Sequence, residues 1–293
     1  VDRARSVAVN TMEDNYADLT SCSRVSVSSH MNARCRRTME DAHRVVDAFD
    51  GVESQGYFAV YDGHGGRGIV DFIEHQLEKN VASELAFDEG SRTEEECLTS
   101  AFLITDIESK RAGLKVSGST AVVGLLREVE NPSGDAPIRK CFLANVGDSR
   151  AVVARRGASG GALVAERLTV DHKPSDPAET KRIQDAGGFV LRGRVLGMLA
   201  VTRSFGDHGL KKFVPARPYT SSFEVTAATP FLIIACDGLW DVMSDDEAVA
   251  FVDAWTGGPT DGSGGGGDVA NALLHAALER GTTDNVTVMI VYL

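Results

Sequence analysis

Short apolar runs and alternating apolar positions, separated by polar turns, predict a chain that is rich in strands. The segment "RVSVSSH" at 24–30 alternates, with Val25 and Val27 on one face, which is typical of a half-buried strand. Compact apolar runs at 57–61, in "TPFLIIACDG" and in "DNVTVMIVYL" predict buried strands. Further strands are predicted in "STAVVGLLREV", "KCFLANVGDSRAVVARRG" and "RLTVDH", with an exposed hairpin loop at "ENPSGDAPIRK".

Apolar residues recur every three or four positions in two longer segments, which predicts two amphipathic helices. The first helix follows Gly68, and the second follows the start signal "SRTEEE". A short helix in "AETKRIQDAGG" is expected to stop at Gly187. The apolar faces consist of Val70, Ile73, Leu77 and Val81 in the first helix and of Leu98, Ala101, Phe102 and Thr105 in the second.

Two helices near the C-terminus have recognisable caps. Ser244 and Glu247 form a capping box at the start of "SDDEAVAFVDAW". After the low-complexity loop "TGGPTDGSGGGGD", Asp268 is expected to cap a last helix that runs to Arg280. Because several strands follow one another without a helix between them, we predict an α+β fold with antiparallel sheets. We expect a single domain over residues 1–293, in which residues 1–22 are a polar, loosely packed N-terminal extension.

The charge and the cysteines limit the classes of function. The chain has a formal net charge of −12, which disfavours nucleic acid or an anionic membrane as the main partner. No apolar run approaches the roughly 20 residues that span a bilayer. The 5 cysteines are odd in number and none has C-x-x-C spacing, which argues against a disulfide framework or a structural zinc site. We therefore expect a reducing, intracellular location, cytoplasmic or nuclear, although an N-terminal targeting segment could precede Val1.

The turn "GHGGRG" at 63–68 fits G-x-G-x-x-G, which is typical of dinucleotide-binding loops. Asp62 stands directly before it, so the turn could instead present a carboxylate to a cation. An oxidoreductase of the dinucleotide-binding class also needs an acidic residue at the end of a second parallel strand, about 20 residues further on. Here the helical pattern continues through that region, which disfavours an oxidoreductase.

Aspartates recur at the ends of the predicted buried strands. Asp62, Asp148 and Asp237 each end an apolar run, and Asp284 comes just before the terminal strand. In an antiparallel sheet the start of one strand lies beside the end of its neighbour, so the four carboxylates could gather at one edge. Converging carboxylates repel one another unless cations lie between them, and oxygen ligands favour Mg²⁺ or Mn²⁺. A single such aspartate more often begins a turn, but four at matching positions favour a metal site.

The motifs "RRTMEDAH", "YDGHGG", "GST", "NVGDSRAVV", "LAVTRSFGD", "ACDGLWDVM" and "TTDNVTV" occur in this order. With this order and spacing, residues 24–293 resemble the metal-dependent protein serine/threonine phosphatases of the protein phosphatase 2C family. The resemblance implies a central β-sandwich with helices packed on both outer faces. It also implies phosphoprotein substrates, and we expect the protein to be a monomer.

The resemblance further implies a metal centre with two Mg²⁺ or Mn²⁺ ions and a weaker third ion. Asp62 would bridge the two ions, and Gly63 would add its backbone carbonyl. The other implied ligands are Asp237 and Asp284 at the first ion, Glu40 at the second, largely through water, with Asp41 nearby in support, and Asp148 and Asp241 with Asp237 at the third. Without the resemblance, adjacent acidic residues such as Glu40 and Asp41 usually mark only a solvated helix start.

In the implied reaction, a water molecule activated by the two ions attacks phosphorus, and no covalent phosphoenzyme forms. Arg36 would hold the substrate phosphate, since a guanidinium group matches phosphate oxygens. His64 would be the general acid that protonates the departing seryl or threonyl oxygen. No cysteine begins a Cys-x₅-Arg signature, so a thiol phosphatase mechanism is disfavoured.

The sequence departs from the family pattern at Arg34, where glycine is common, and it has a cationic segment in the flap region at 207–220. Both departures place positive charge where substrate preference could be affected. A second hypothesis is a catalytically weak family member that acts as a regulated partner-binding module. Lost metal ligands would indicate such a protein, and none of the implied ligands is lost in this sequence.

Overall fold

The structure, a computed structural model, describes residues 11–87, 91–131, 133–157, 161–256 and 268–293. Two antiparallel sheets lie face to face, and helices cover both outer surfaces. The predicted α+β fold, a β-sandwich flanked by helices on both faces, is confirmed.

The first sheet joins the N-terminal and C-terminal segments. In spatial order it contains β1 (Thr11–Ala17), β2 (Arg24–His30), β16 (Val286–Tyr292), β15 (Phe231–Ala235), β9 (Arg150–Arg156) and β10 (Leu163–Arg167). All of its neighbouring strands are antiparallel. β2 and β16 pair along their whole length, so the strand that precedes the loop at 31–41 is hydrogen-bonded to the last strand.

The second sheet is antiparallel as well. In spatial order it contains β14 (Tyr219–Glu224), β8 (Ile138–Val146), β7 (Ala121–Val129), β4 (Gly56–Tyr61) and β3 (Ala42–Asp47). Strands β7 and β8 form the hairpin that the sequence predicts around "ENPSGDAPIRK". Between the two sheets lies a shared apolar core, in which Val25 and Val27 of β2 belong to the same cluster as Phe58 and Val60 of β4.

Helices α1 (Gly68–Phe87) and α2 (Glu94–Arg111) cover the second sheet, and α5 (Asp245–Thr256) and α6 (Val269–Glu279) cover the first. All apolar-face positions expected from the periodicity of α1 and α2 are buried. The shorter α3 (Pro177–Asp185) lies beneath the flap region.

The expected helix ends are confirmed. Ser244 and Glu247 exchange hydrogen bonds at the start of α5, as a capping box requires. The Asp268 carboxylate accepts from the Ala270 and Asn271 amides at the start of α6. Helix α3 ends just before Gly187, whose φ of 84° is the left-handed conformation that glycine adopts most easily.

Short elements complete the fold near the predicted site. Helix α4 (Asp237–Trp240) follows β15 directly. The site sheet, as we call it, consists of β5 (Gly63–His64), β6 (Gly118–Ser119) and β13 (Phe205–Gly206), with β6 in the middle. A small hairpin that packs against the flap region, which we call the flap hairpin, consists of β11 (Val190–Leu191) and β12 (Arg194–Val195).

The expectation of a loosely packed N-terminal extension is wrong for residues 11–17. These residues form β1, which pairs with β2 from Thr11 opposite His30 to Ala17 opposite Arg24. An edge strand is held by its backbone hydrogen bonds, so most of its side chains can be polar and exposed. Its sequence therefore lacks the apolar alternation from which the other strands are predicted.

The prediction of a strand in "RLTVDH" is also wrong, because β10 ends at Arg167, the first residue of this segment. Beyond it the Thr169 hydroxyl accepts from the Ala151 amide at 3.0 Å, in place of a backbone partner. The His172 amide then donates to the Gly147 carbonyl at 2.9 Å, which leads the chain to the turn that carries Asp148. Residues 257–267 of the predicted low-complexity loop lie outside the described residues.

All five cysteines are free thiols. In the described part of the chain, no helix has both the length and the apolar character needed to cross a bilayer.

Candidate metal centre

The four strand-end aspartates meet at one edge of the sandwich. Asp62 follows β4 of the second sheet, Asp237 follows β15 of the first sheet, and Asp284 precedes β16. Asp148 joins them from the turn between β8 and β9. They line a cavity of about 200 Å³ whose other lining residues are Arg36, Gly63, His64, Thr120, Arg194, Leu199, Ala200 and Val201.

Glycines make this convergence possible. A Cβ atom on Gly238 would overlap the Asn285 carbonyl oxygen, so only glycine lets the start of α4 pack against the segment of Asp284. A Cβ on Gly63 would lie 2.5 Å from the Glu40 carbonyl oxygen, again too close for any side chain. These two contacts bring the Asp237 and Asp62 turns against the segments that carry Asp284 and Glu40.

The turn at Asp148 has a similar requirement. Gly147 has a φ of 87°, and a Cβ there would lie 2.5 Å from Thr120 Cγ2. The Thr120 hydroxyl in turn lies 2.6 Å from the Ser149 hydroxyl, which ties the turn to the start of β7. Asp148 is held in the cavity wall by this packing.

Asp62 and Asp237 form no ion pair with a cationic side chain among the described residues, whereas Asp284 contacts Arg36 and Asp148 contacts Lys173. The pKa of Asp62 is raised well above its ordinary value, first by burial and then by repulsion from Asp237, Asp41, Asp148 and Asp284. Burial, followed by repulsion from Asp148 and Asp284, raises the pKa of Asp237 to about 8. Asp237 Oδ1 is buried and has no hydrogen-bond partner among the described residues. Oxygen donors that are crowded and unpartnered in this way fit hard divalent cations.

Glu40 and Asp41 flank the cavity from the N-terminal loop. The Glu40 carboxylate accepts from the Thr38 hydroxyl at 3.0 Å and from the Gly66 amide at 3.3 Å, and it is not part of the cavity lining. Asp41 is buried, and its Oδ2 accepts from the Thr287 hydroxyl at 2.7 Å, while Oδ1 has no partner in the described part of the chain. Burial raises the pKa of Asp41 to about 7.

Cys236 lies beside these carboxylates, and sequence reasoning did not single it out. Its sulfur and the carboxylates of Asp41 and Asp62 lie within 4.8 Å of one another. Burial, followed by the negative charges of Asp41, Asp62 and Asp237, raises the pKa of the thiol well above its ordinary value. The thiol contacts the Asn285 carbonyl at 3.6 Å, and hard cations prefer oxygen ligands, so Cys236 fits a packing role better than a ligand role.

Asp241 lies outside the cavity lining, but Lys173 connects it to Asp148. The Lys173 ammonium lies 3.0 Å from Asp241 Oδ1 and 3.4 Å from Asp148 Oδ2. Burial would lower the pKa of Lys173, but the attraction of Asp148 and Asp241 outweighs it and raises the pKa. The place between these carboxylates, where the resemblance implies a third ion, is thus next to a built-in cation.

Arg36 reaches the cavity and pairs with a predicted metal ligand. Its Nη2 contacts Asp284 Oδ2, and its Nε donates to the Thr283 carbonyl at 3.2 Å. Half of the Arg36 side chain is exposed, at 49%, and a guanidinium group has five N–H donors. The remaining donors can therefore still bind an anion in the cavity.

His64 has a partner that sequence reasoning missed. Its Nε2 lies 2.7 Å from Asp207 Oδ2, and the two residues are 143 positions apart. Asp207 is the last residue of the motif "LAVTRSFGD", and this motif was the sequence feature that could have drawn attention to it. The sequence alone does not show which residue Asp207 contacts. Arg194 was missed in the same way, since its place in the cavity wall depends on the flap hairpin.

A larger cavity of about 520 Å³ is lined by His30, Leu278 and residues of the segments 32–35 and 281–283. Its lining contains no carboxylate, so it lacks the ligands of a hard cation. The aspartate-lined cavity is therefore the better candidate for the functional site.

Comparisons with known proteins agree with the fold. The family description "Protein phosphatase 2C" matches residues 25–286. The protein phosphatase 2C homolog 1 of Saccharomyces cerevisiae is 42% identical over 277 residues, which cover 92% of this chain and 93% of that protein. The homolog 1 of Schizosaccharomyces pombe is 38% identical over 266 residues, covering 89% of this chain and 71% of that protein.

A solved structure of similar fold is the serine-threonine phosphatase 2C from Toxoplasma gondii, with a TM-score of 0.77. The two sequences are 21% identical, and the match covers 96% of this chain and 98% of that chain. This similarity shows a shared fold. The chain belongs to the protein phosphatase 2C family, which is metal-dependent, and it is a protein serine/threonine phosphatase. The match of the turn at 63–68 to a dinucleotide-binding loop is therefore coincidental.

Proposed function

We propose that this chain hydrolyses phosphoserine and phosphothreonine in proteins by the attack of water at a Mg²⁺ or Mn²⁺ centre. The observation that carries the proposal is the cavity in which four converging aspartates, Arg36 and His64 meet. Asp62, Asp237, Asp284 and the Gly63 carbonyl would hold the ions, with Glu40 contributing through water. Bound divalent cations supply positive charge to the phosphoryl group and make a water molecule more acidic.

The side chains of the cavity have distinct tasks in this reaction. The free N–H groups of Arg36 orient the phosphate and balance charge on its equatorial oxygens. His64 donates a proton to the departing oxygen. Because Nε2 lies against Asp207, Nδ1 is the nitrogen that remains for this donation.

Among the described residues, the cavity lining offers neither a thiol nor a free hydroxyl as a nucleophile. The lining includes no cysteine, and its one hydroxyl, on Thr120, is engaged by Ser149 at 2.6 Å. A thiol or hydroxyl able to form a covalent phosphoenzyme is therefore missing from the lining as the structure describes it. This agrees with direct transfer of the phosphoryl group to water.

The test is hydrolysis of a phosphothreonine peptide in the presence of Mn²⁺ or Mg²⁺ and after removal of the metal with EDTA. We expect activity only with metal, and we expect Asp237→Asn to lower kcat by about 100-fold or more, since it removes a charged ligand. Asp185→Asn is the matched control, because Asp185 is an exposed carboxylate paired with Lys181 on α3. Absence of activity with Mn²⁺, or full activity of Asp237→Asn, would overturn the proposal.

A further inference from the structure

The site sheet places His64 and Asp207 on either side of one glycine. In this sheet β6 lies between β5 and β13, so Gly118 is opposite both His64 and Gly206. Asp207 follows Gly206 directly. The two side chains therefore come together over a strand position that has no side chain.

The contact between His64 and Asp207 is short and well supported. Asp207 Oδ2 lies 2.7 Å from His64 Nε2 and accepts from the Ser204 hydroxyl at 2.6 Å. The Asp207 side chain is only 9% exposed, whereas the His64 side chain is 31% exposed and borders the cavity. The Asp207 amide donates to the Ser117 carbonyl at 3.1 Å, which anchors the backbone as well.

Gly118 must be glycine for this contact to exist. A Cβ atom at this position would overlap both Asp207 Oδ2 and His64 Nε2, and it would lie 2.5 Å from Asp207 Cγ. Asp207 itself has a φ of 46°, a left-handed conformation that is uncommon outside glycine, asparagine and aspartate. The glycine at position 118 and the left-handed conformation of Asp207 both indicate that the backbone is arranged to bring Asp207 and His64 together.

We propose that Asp207 is a positioning residue for His64. Its carboxylate accepts the Nε2–H of the imidazole, which fixes the ring so that Nδ1–H is directed to the departing oxygen of the substrate. This inference rests on the proposed function, because it assigns Asp207 to the histidine that acts as the general acid. Asp207 itself does not contact the substrate.

A purely structural role is the alternative. Asp207 also binds Ser204 and the Ser117 carbonyl, so it could serve only to hold the turn after β13. The two roles differ in one respect. A positioning residue acts through His64 and loses its effect when His64 is removed, whereas a structural residue keeps its effect.

The experiment is a double-mutant cycle of His64→Ala and Asp207→Asn with two substrates and Mn²⁺ present. A phosphothreonine peptide has a poor leaving group that needs a proton, whereas p-nitrophenyl phosphate releases an anion that does not. We expect Asp207→Asn to lower kcat on the peptide by at least about tenfold and on the aryl phosphate by less than about threefold. In the His64→Ala background we expect no further loss on the peptide.

Gly118→Ala provides an independent route to the same result, because its methyl group separates the pair without changing either member. Gly209→Ala is the matched control, since a Cβ there would meet no atom within 4 Å. We expect the selective loss on the peptide for Gly118→Ala and wild-type rates for Gly209→Ala.

Equal losses from Asp207→Asn on both substrates, or the same loss with and without His64, would overturn the positioning role. Equal losses from His64→Ala on both substrates would overturn this inference together with the general-acid role. Metal-dependent turnover by the wild-type protein would still support the proposed hydrolysis in either case. A wild-type protein without such turnover would overturn the proposed function itself.

Discussion

At the residue scale, the Lys173 ammonium supplies positive charge to two carboxylates that the family resemblance assigns to a third cation. Its ammonium lies between Asp148 and Asp241, at 3.4 Å and 3.0 Å, and both contacts are with carboxylates implied for a third cation. An ammonium and a divalent cation repel each other, so they compete for these carboxylates. We therefore expect Lys173 to lower the affinity of that position for a divalent ion.

Replacement of Lys173 by methionine tests this competition. We expect Lys173→Met to raise the affinity for a further Mn²⁺ ion by on the order of tenfold, equal to about 1.4 kcal/mol. Calorimetric titration with Mn²⁺ measures both the number of ions and their affinities. Lys181→Met is the control, because Lys181 pairs with an exposed aspartate on α3. An unchanged number and affinity of ions would contradict this role of Lys173.

At the element scale, a carboxylate of α3 and the Arg182 guanidinium group attach this helix to the segment that leads into β13. Glu179 of α3 is buried, and it accepts from the Thr202 hydroxyl at 2.8 Å and from Arg203 Nη2 at 2.7 Å. Arg182 adds a further contact at 2.9 Å. Burial alone would raise the pKa of Glu179, but the hydrogen bonds from Arg203, Arg182 and Thr202 outweigh it and lower the pKa to about 2.

This carboxylate predicts a specific dependence of stability on pH. Since the folded-state pKa lies below the ordinary value of 4.5, the stabilisation is present above about pH 4.5 and is lost as the pH falls towards 2. We expect Glu179→Gln to lower the free energy of unfolding by about 2 kcal/mol at pH 7, because it leaves the partly buried guanidinium groups of Arg182 and Arg203 without their carboxylate partner. Chemical denaturation of both proteins between pH 3 and pH 7 measures the difference, which should shrink on acidification. A difference that stays constant over this range would contradict the assignment.

The same scale shows which elements could be predicted from the sequence. The strands β4, β15 and β16 are compact apolar runs, so their existence follows from the sequence. The helices α1 and α2 have periodic apolar patterns, so their buried faces follow as well. Strand β1 lacks such a pattern because it is an exposed edge strand. The strands of the site sheet have two residues each, too few for any period, so the pairing of His64 with Asp207 could not be predicted.

At the scale of the whole molecule, the candidate metal centre joins the two sheets. Asp62 comes from the second sheet, whereas Asp237 and Asp284 come from strands of the first. The position of each aspartate at an end of a predicted buried strand was enough to predict that they gather, because this inference needs only the positions of the apolar runs. The sequence pattern could not predict the places of Lys173, which lies in a loop, or of Arg194, which lies in a strand of only two residues.

Because the ligands come from both sheets, metal binding should stabilise the whole domain against unfolding. Mn²⁺ at 100 times its dissociation constant adds about 2.7 kcal/mol if it binds only the folded state. For a domain of 293 residues, with an unfolding entropy of about 0.6 kcal/mol per kelvin, that corresponds to a rise in Tm of roughly 4 °C. Thermal unfolding followed by circular dichroism, with Mn²⁺ and with EDTA, measures this shift. We expect Asp237→Asn to remove most of the shift and Asp185→Asn to retain it, whereas a Tm independent of Mn²⁺ would contradict a centre that links the sheets.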